Sequence, residues 1–148
     1  VHDLAYKASA SLGNELVPFQ LSIVIPGDMP LVFIDFGLIE NVIHNLLLNA
    51  TQHAPEGSQI RLKFFYDHGV LNIYVMDRGK GFEKSELVSV FDKFYRGKNL
   101  STGGTGLGLS IVKGFVEAHG GTVQAENRKN SGALLKISIP CQASNIQI

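Results

Sequence analysis

The chain holds a single cysteine among 148 residues, Cys141, so an internal disulfide and a cysteine-based metal cluster are both excluded. Charge of one sign is lacking too: 13 Lys and Arg balance 13 Asp and Glu, leaving no global attraction to nucleic acid or an anionic membrane. No apolar run reaches the roughly 18 residues that cross a bilayer, and no basic-then-apolar leader opens the chain. Repeats and low-complexity tracts are absent as well. The cytoplasm is the expected compartment, with no nucleic-acid partner and no direct membrane contact. Because the chain opens at Val1 inside a helix-like pattern, it is expected to be a piece of a longer protein, which is itself free to be membrane-bound. What is present, 45% apolar and 18% charged, suits one domain with one core over residues 1–140 and a loosely ordered tail over 141–148.

Periodicity supplies the elements. Asp3 caps a predicted first helix with Leu4, Ala8, Leu12 and Leu16 on one face, ending near Pro18. "FQLSIVIP" alternates as a strand, and "LVFI" follows as a short one after the Pro26-Gly27-Asp28 turn. From Asp35 to Pro55 the spacing of Leu38, Ile39, Val42, Ile43, Leu46 and Leu47 predicts a long amphipathic central helix. "SQIRLKFFY" and "VLNIYVMD" form a predicted hairpin about Asp67-His68-Gly69. A short helix is expected around "KSELVSVFDKF", another from Leu107 to His119, and then strands "TVQAEN" and "ALLKISIP" about Asn130-Ser131-Gly132. These elements assemble as an α/β fold, a two-layer α/β sandwich with a mixed β-sheet and helices on one face.

Three stretches carry chemistry. "STGGTGLGLSIVKGF" places four glycines in six positions at the mouth of a helix, where free N–H groups and a bare backbone suit phosphate, although a merely flexible loop has the same composition. It is neither G-x-x-x-x-G-K-[ST] nor a strand-borne G-x-G-x-x-G. In "DRGKGF", Asp77 ends a strand and Gly79 and Gly81 follow. A carboxylate there accepts from an exocyclic amine such as that of adenine, or simply makes an Asp-Gly turn. Asn45 and Asn49 lie four apart on one helix face, where an amide oxygen suits Mg²⁺ or bonds neighbouring backbone. His44, His53, His68 and His119 show no ligand spacing and are read as surface or helix-end residues.

Taken together, "HNLLLNA", "DRGKGF", "FDKFYRG" and "GGTGLGLS" resemble, in order, the N, G1, F and G2 boxes of the ATP-binding domain of sensor histidine kinases, a fold shared with gyrase B, Hsp90 and MutL. "VFDKFYRG", "AHGGTVQAENR" and "GALLKISIP" are similar to the turgor- and potassium-sensing KdpD type within that family. The resemblance implies an ATP-dependent protein-histidine kinase domain of the Bergerat fold, with ATP and Mg²⁺ as its ligands. It implies Asn49 as the Mg²⁺ ligand, Asn45 as a polar contact, and Asp77 as the adenine acceptor flanked by Gly79 and Gly81. Gly104, Thr105, Gly106, Leu107 and Gly108 would hold the phosphates and hinge a lid over 96–105, anchored by Phe91 and Phe94, with Lys93 and Arg96 contacting phosphate.

No nucleophile is expected within the chain. The phosphoacceptor histidine belongs to a separate dimerisation domain, and a response regulator receives the phosphate from it. His2 lacks the basic-x-Pro continuation of such an acceptor. Hydrolysing relatives carry a glutamate where this chain has Asn45, which is no general base, so turnover by water is expected to be slow. Many sensor kinases carry a lysine where this chain has Gln52, which removes a charge near the phosphates. Alternatives to the histidine kinase reading are a related protein-serine kinase and a nucleotide-gated regulatory module without transfer activity.

Overall fold

A computed structural model describes residues 1–93 and 108–144. Phe94, Arg96, Gly104, Thr105, Gly106, Leu107 and the segment 145–148 lie outside the described residues.

Strict alternation builds the sheet. In β3 (Gln59–Asp67) and β4 (Val70–Met76) every second side chain, Ile60, Leu62 and Phe64 against Leu71, Ile73 and Val75, is buried on one face. The two strands meet at a two-residue turn in which His68 and Gly69 both have positive φ, 50° and 78°, the backbone twist that a tight hairpin demands. β6 (Ala133–Pro140) pairs antiparallel with β4 and with β5 (Thr122–Asn127), while β1 (Gln20–Val24) runs parallel to β3. The order is β1-β3-β4-β6-β5, a mixed five-stranded sheet. On its helix-free face Phe65 and Tyr74 meet edge to face at 5.1 Å, with Lys63 and Lys136 over the rings.

The parallel β1–β3 pair needs a crossover, and α2 (Phe36–His53) supplies it. Asp35 caps this helix, its Oδ1 accepting from Leu38 N at 3.0 Å, and Pro55 stops it two residues after its end. Its apolar stripe, Ile39, Val42, Ile43, Leu46, Leu47 and Ala50, is buried between the sheet and the flanking helices α1 (His2–Ala10) and α3 (Gly108–Ala118). Truncating any one of the leucines to alanine costs about 2–5 kcal/mol at such a position. That core fixes α2, and α2 carries the site.

Four local expectations are corrected. The first helix ends at Ala10 because Gly13, at φ +53°, turns the chain into a separate 3-10 turn over Gly13–Leu16; Val1, not Asp3, holds the N-cap position. The predicted helix over 84–94 is a 3-10 turn, Lys84–Glu86, continued by turns in which Ser89 N and Asp92 N each bond the carbonyl three residues back. The short strand after Pro30 is only β2 (Leu31–Val32), and it does not join the main sheet. It pairs instead with β7 (Ala143–Ser144), so the first residues beyond Pro140 are not a loose tail.

Candidate functional site

Asp77 is the one buried polar side chain among the described residues, 3% exposed at the end of β4. Burying a carboxylate demands compensation, and the backbone provides it. Asp77 Oδ1 accepts from Gly79 N at 2.8 Å and from Ala133 N at 3.2 Å, which fixes the carboxylate's direction. The main chain of the same residue is held as firmly: its N–H donates to Ala133 O at 3.1 Å and its carbonyl accepts from Arg128 Nη1 at 2.8 Å. Ser131 Oγ donates to Gly79 O at 2.6 Å, and Asn127 closes the turn by accepting from Phe82 N and donating to Phe82 O, both at 2.8 Å.

Glycine is required here for closeness. A Cβ on Gly79 would run into the carbonyl of His53, the last residue of α2, so the turn after Asp77 lies directly against the helix. Gly132, at φ +107°, lies so close to the Asp77 carbonyl that no side chain fits there either.

Along α2, Asn45, Asn49 and His53 recur at four-residue spacing and form one stripe of roughly 12 Å, at 1.5 Å per residue. At one end Asn45 lies beside the start of α3: its Oδ1 would be 3.2 Å from a Cβ on Gly108. Its Nδ2 is spent within α2, donating to Asn41 O at 2.9 Å and Asn41 Oδ1 at 2.7 Å, which leaves the oxygen turned toward the α3 N-terminus. In the middle, Asn49 Oδ1 is buried with no hydrogen-bond partner, an acceptor that the fold leaves unsatisfied. At the other end His53 meets Phe82 with ring centroids 6.0 Å apart, and burial pushes its imidazole below the ordinary value, an effect the nearby Asp77 charge partly offsets.

The arrangement joins an amine-accepting carboxylate, an orphaned amide oxygen of the hard, neutral kind that Mg²⁺ prefers, and a helix N-terminus, strung along about the length of a nucleoside triphosphate. Asn45 and Gly108 meet at one end of this stripe of α2, Asp77 and Gly79 lie at the other, and Asn49 sits between them, whereas Gly81 lies beside Asn127 and Gly132. Phe91, 5% exposed, packs into the core beside β5, and Lys93 next to it is exposed. Sequence reasoning had no signal for His53 beyond its place four residues after Asn49, nor for the clamp of Asn127, Arg128, Ser131 and Gly132. Those residues meet Asp77 and its turn across 45 to 55 positions of chain.

The profile of the histidine kinase-, DNA gyrase B- and HSP90-like ATPase family matches residues 35–143. The sensor protein KdpD of Clostridium acetobutylicum is 39% identical over 124 residues, covering 82% of this chain, and KdpD of Escherichia coli is 36% identical over 128 residues, covering 86%. The chain spans 14% of the length of each of these relatives. Among solved structures, the mycobacterial sensor histidine kinase MprB superposes with a TM-score of 0.85 at 22% identity, over 97% of both chains. Full-length ShkA in complex with AMPPNP superposes with a TM-score of 0.83 at 21% identity, over 97% of this chain and 31% of that one. The chain belongs to the histidine kinase-, DNA gyrase B- and HSP90-like ATPase family, and within it is homologous to the catalytic domains of sensor histidine kinases.

Proposed function

We propose that this domain binds Mg-ATP along the α2 stripe and donates the γ-phosphate to a histidine on a separate dimerisation domain of the same parent protein. Asp77 accepts from the adenine amine, the glycine-flanked turn 79–82 lets the planar base lie close, and Asn49 Oδ1 ligates Mg²⁺. The α3 N-terminus at Gly108, with Gly104, Thr105, Gly106 and Leu107 before it, takes the phosphates; Phe91 and Phe94 anchor the lid, and Lys93 and Arg96 contact phosphate. The metal, when bound, supplies charge neutralisation on the phosphates. The chain's own residues supply position, which is most of what phosphoryl transfer requires.

In the transfer itself the bond from the γ-phosphorus to the bridging oxygen breaks, and a bond to the acceptor imidazole nitrogen forms. ADP leaves with the electron pair, and the imidazole N–H proton passes to solvent. A response regulator then takes the phosphoryl group. The parent is a membrane-bound sensor of the KdpD type, responsive to potassium or turgor, with this domain on the cytoplasmic side.

The observation that carries this reading is the unpartnered, buried Oδ1 of Asn49 one turn from the clamped Asp77 turn. Calorimetric titration with a non-hydrolysable ATP analogue, with and without Mg²⁺, tests it. Asp77→Asn is expected to weaken binding about 100-fold and Asn49→Ala to remove its Mg²⁺ dependence. A wild-type domain that binds no nucleotide in either condition sinks the proposal.

A further inference from the structure

Alternation along the strands sets one face of the sheet against the helices and leaves the other free of them. Arg61 stands on the free face of β3, since its neighbours Ile60 and Leu62 are buried on the other. At the end of β4, Asp77 turns to the helix side and is buried, so the exposed Arg78 after it lies on the free face. Arg61 pairs with Met76, two residues before Arg78, which sets the two arginines on a diagonal of about 7–8 Å. Arg128 follows β5 and donates its backbone N–H to Gly132 O at 2.8 Å. Gly132, without a side chain of its own, lies between Arg128 and Arg78: a Cβ on it would be 3.1 Å from Arg78 Cα. Three arginines thus share one corner of the sheet, where their long side chains can converge.

Nothing in the fold neutralises them. The chain as a whole is balanced, and on the same face Lys136 is already matched by Glu126 at 2.6 Å. None of the three arginines forms an ion pair among the described residues. The nearby Asp77 directs its Oδ1 at the amides of Gly79 and Ala133 instead. Burial, and after it the like charges of Arg78 and Arg61, hold the Arg128 guanidinium below its ordinary value, with Asp77 offsetting part of this. A separate sign is Arg61 Nε, a buried donor with no acceptor, which native proteins seldom leave so. Arg128 spends Nη1 on the Asp77 carbonyl and keeps its other donors. Converging cations with unspent donors call for an oxyanion of more than one charge. Phosphate, with an acceptor oxygen for each guanidinium, meets that need better than a carboxylate.

We propose that Arg61, Arg78 and Arg128 form a seat for one phosphate-type oxyanion on the face of the sheet turned away from α2. The oxyanion is a free phosphate or a phosphoryl group carried on a polypeptide, and its binding needs no nucleotide. Inorganic phosphate is titrated into the domain by NMR, at an ionic strength held constant with chloride, with the arginine Nε–H and backbone amide signals read. A capped phosphoserine peptide forms the second arm. Saturable shifts are expected at Arg61, Arg78 and Arg128. Arg61→Gln and Arg78→Gln should each weaken binding about ten-fold, the size of one charge-assisted hydrogen bond. Arg78→Lys keeps the charge without the planar fork and should lose affinity as well. Because Arg78 is exposed, its variants should melt with the wild type, which keeps loss of the seat distinct from loss of fold.

Tighter binding of the free ion than of the peptide supports the seat as one for a small anion, and the reverse order as one for a phosphorylated partner. Shifts that never saturate, shifts confined to the α3 N-terminus at Gly108, or wild-type affinity in Arg78→Gln overturns the proposal. Wild-type affinity in Arg78→Lys overturns it in favour of diffuse attraction to a positive surface.

Discussion

Replacing Asn49 by leucine should make the empty domain more stable and the nucleotide-bound domain less so. An unsatisfied buried acceptor such as Asn49 Oδ1 costs a folded protein about 1–3 kcal/mol, and leucine, of similar size, carries no acceptor to strand. Leucine is also the better helix former by a few tenths of a kcal/mol at this interior position of α2. A net gain of about 1–2 kcal/mol is expected, and near 150 residues each kcal/mol moves the melting midpoint by about 3 °C, so the shift is about 3–6 °C upward. Circular dichroism melts in EDTA read this directly. Repeated with Mg²⁺ and a non-hydrolysable ATP analogue at about 100 times its dissociation constant, wild type should gain about 2.7 kcal/mol from binding, and the variant, without the amide oxygen proposed to ligate the metal, far less. The two proteins should therefore exchange rank between the two conditions. An apo variant that melts at or below the wild-type midpoint refutes the reasoning, because it would mean that Oδ1 is satisfied in the empty protein.

Asp77→Asn keeps an oxygen for Gly79 N and Ala133 N, so its stability should fall by no more than about 1 kcal/mol; its NH₂ would then oppose the adenine amine, and titration should show about 100-fold weaker binding. Gly132→Ala drives a Cβ into the Asp77 carbonyl at φ +107°, and its urea midpoint should drop by the equivalent of at least about 2 kcal/mol with the slope unchanged. His53 takes up its proton less readily when folded than at its ordinary value of 6.5, so the unfolded chain binds more protons in the window below that value. Its contribution to stability should be flat above about pH 6.5 and fall as the pH drops through that window; the difference between wild-type and His53→Gln urea midpoints from about pH 5 to 8 isolates it.

The long elements were legible because each buries one face. Alternation in β3, β4, β5 and β6 and the 3.6 period of α2 follow from that geometry, and the His68-Gly69 turn follows from residues that tolerate positive φ. Short elements were not legible. β2 and β7 are two residues each and exist only because they find one another across more than a hundred positions. At the site, the four-residue spacing of Asn45 and Asn49 placed both on one helix face, which the structure keeps. Nothing local could show that the backbone of Ala133 and the guanidinium of Arg128 hold Asp77. Those contacts belong to the folded chain, and single-sequence periodicity carries no record of them.

The parallel pairing of β1 with β3 bears on how the domain comes apart. The two strands are roughly 40 residues apart in sequence, so their pairing closes a long loop before any contact rewards it, and β1 is an edge strand with one neighbour. Fraying that begins at β1 leaves the four antiparallel strands zipped while it unties the chain leading into α2. The stripe along α2 would then come loose before the sheet does, in a partial unfolding of low energy. A nucleotide lying along α2 thus acts as a staple on the weakest seam of the sheet, and slowed amide exchange in β1, far from any ligand atom, becomes the signature of an occupied site.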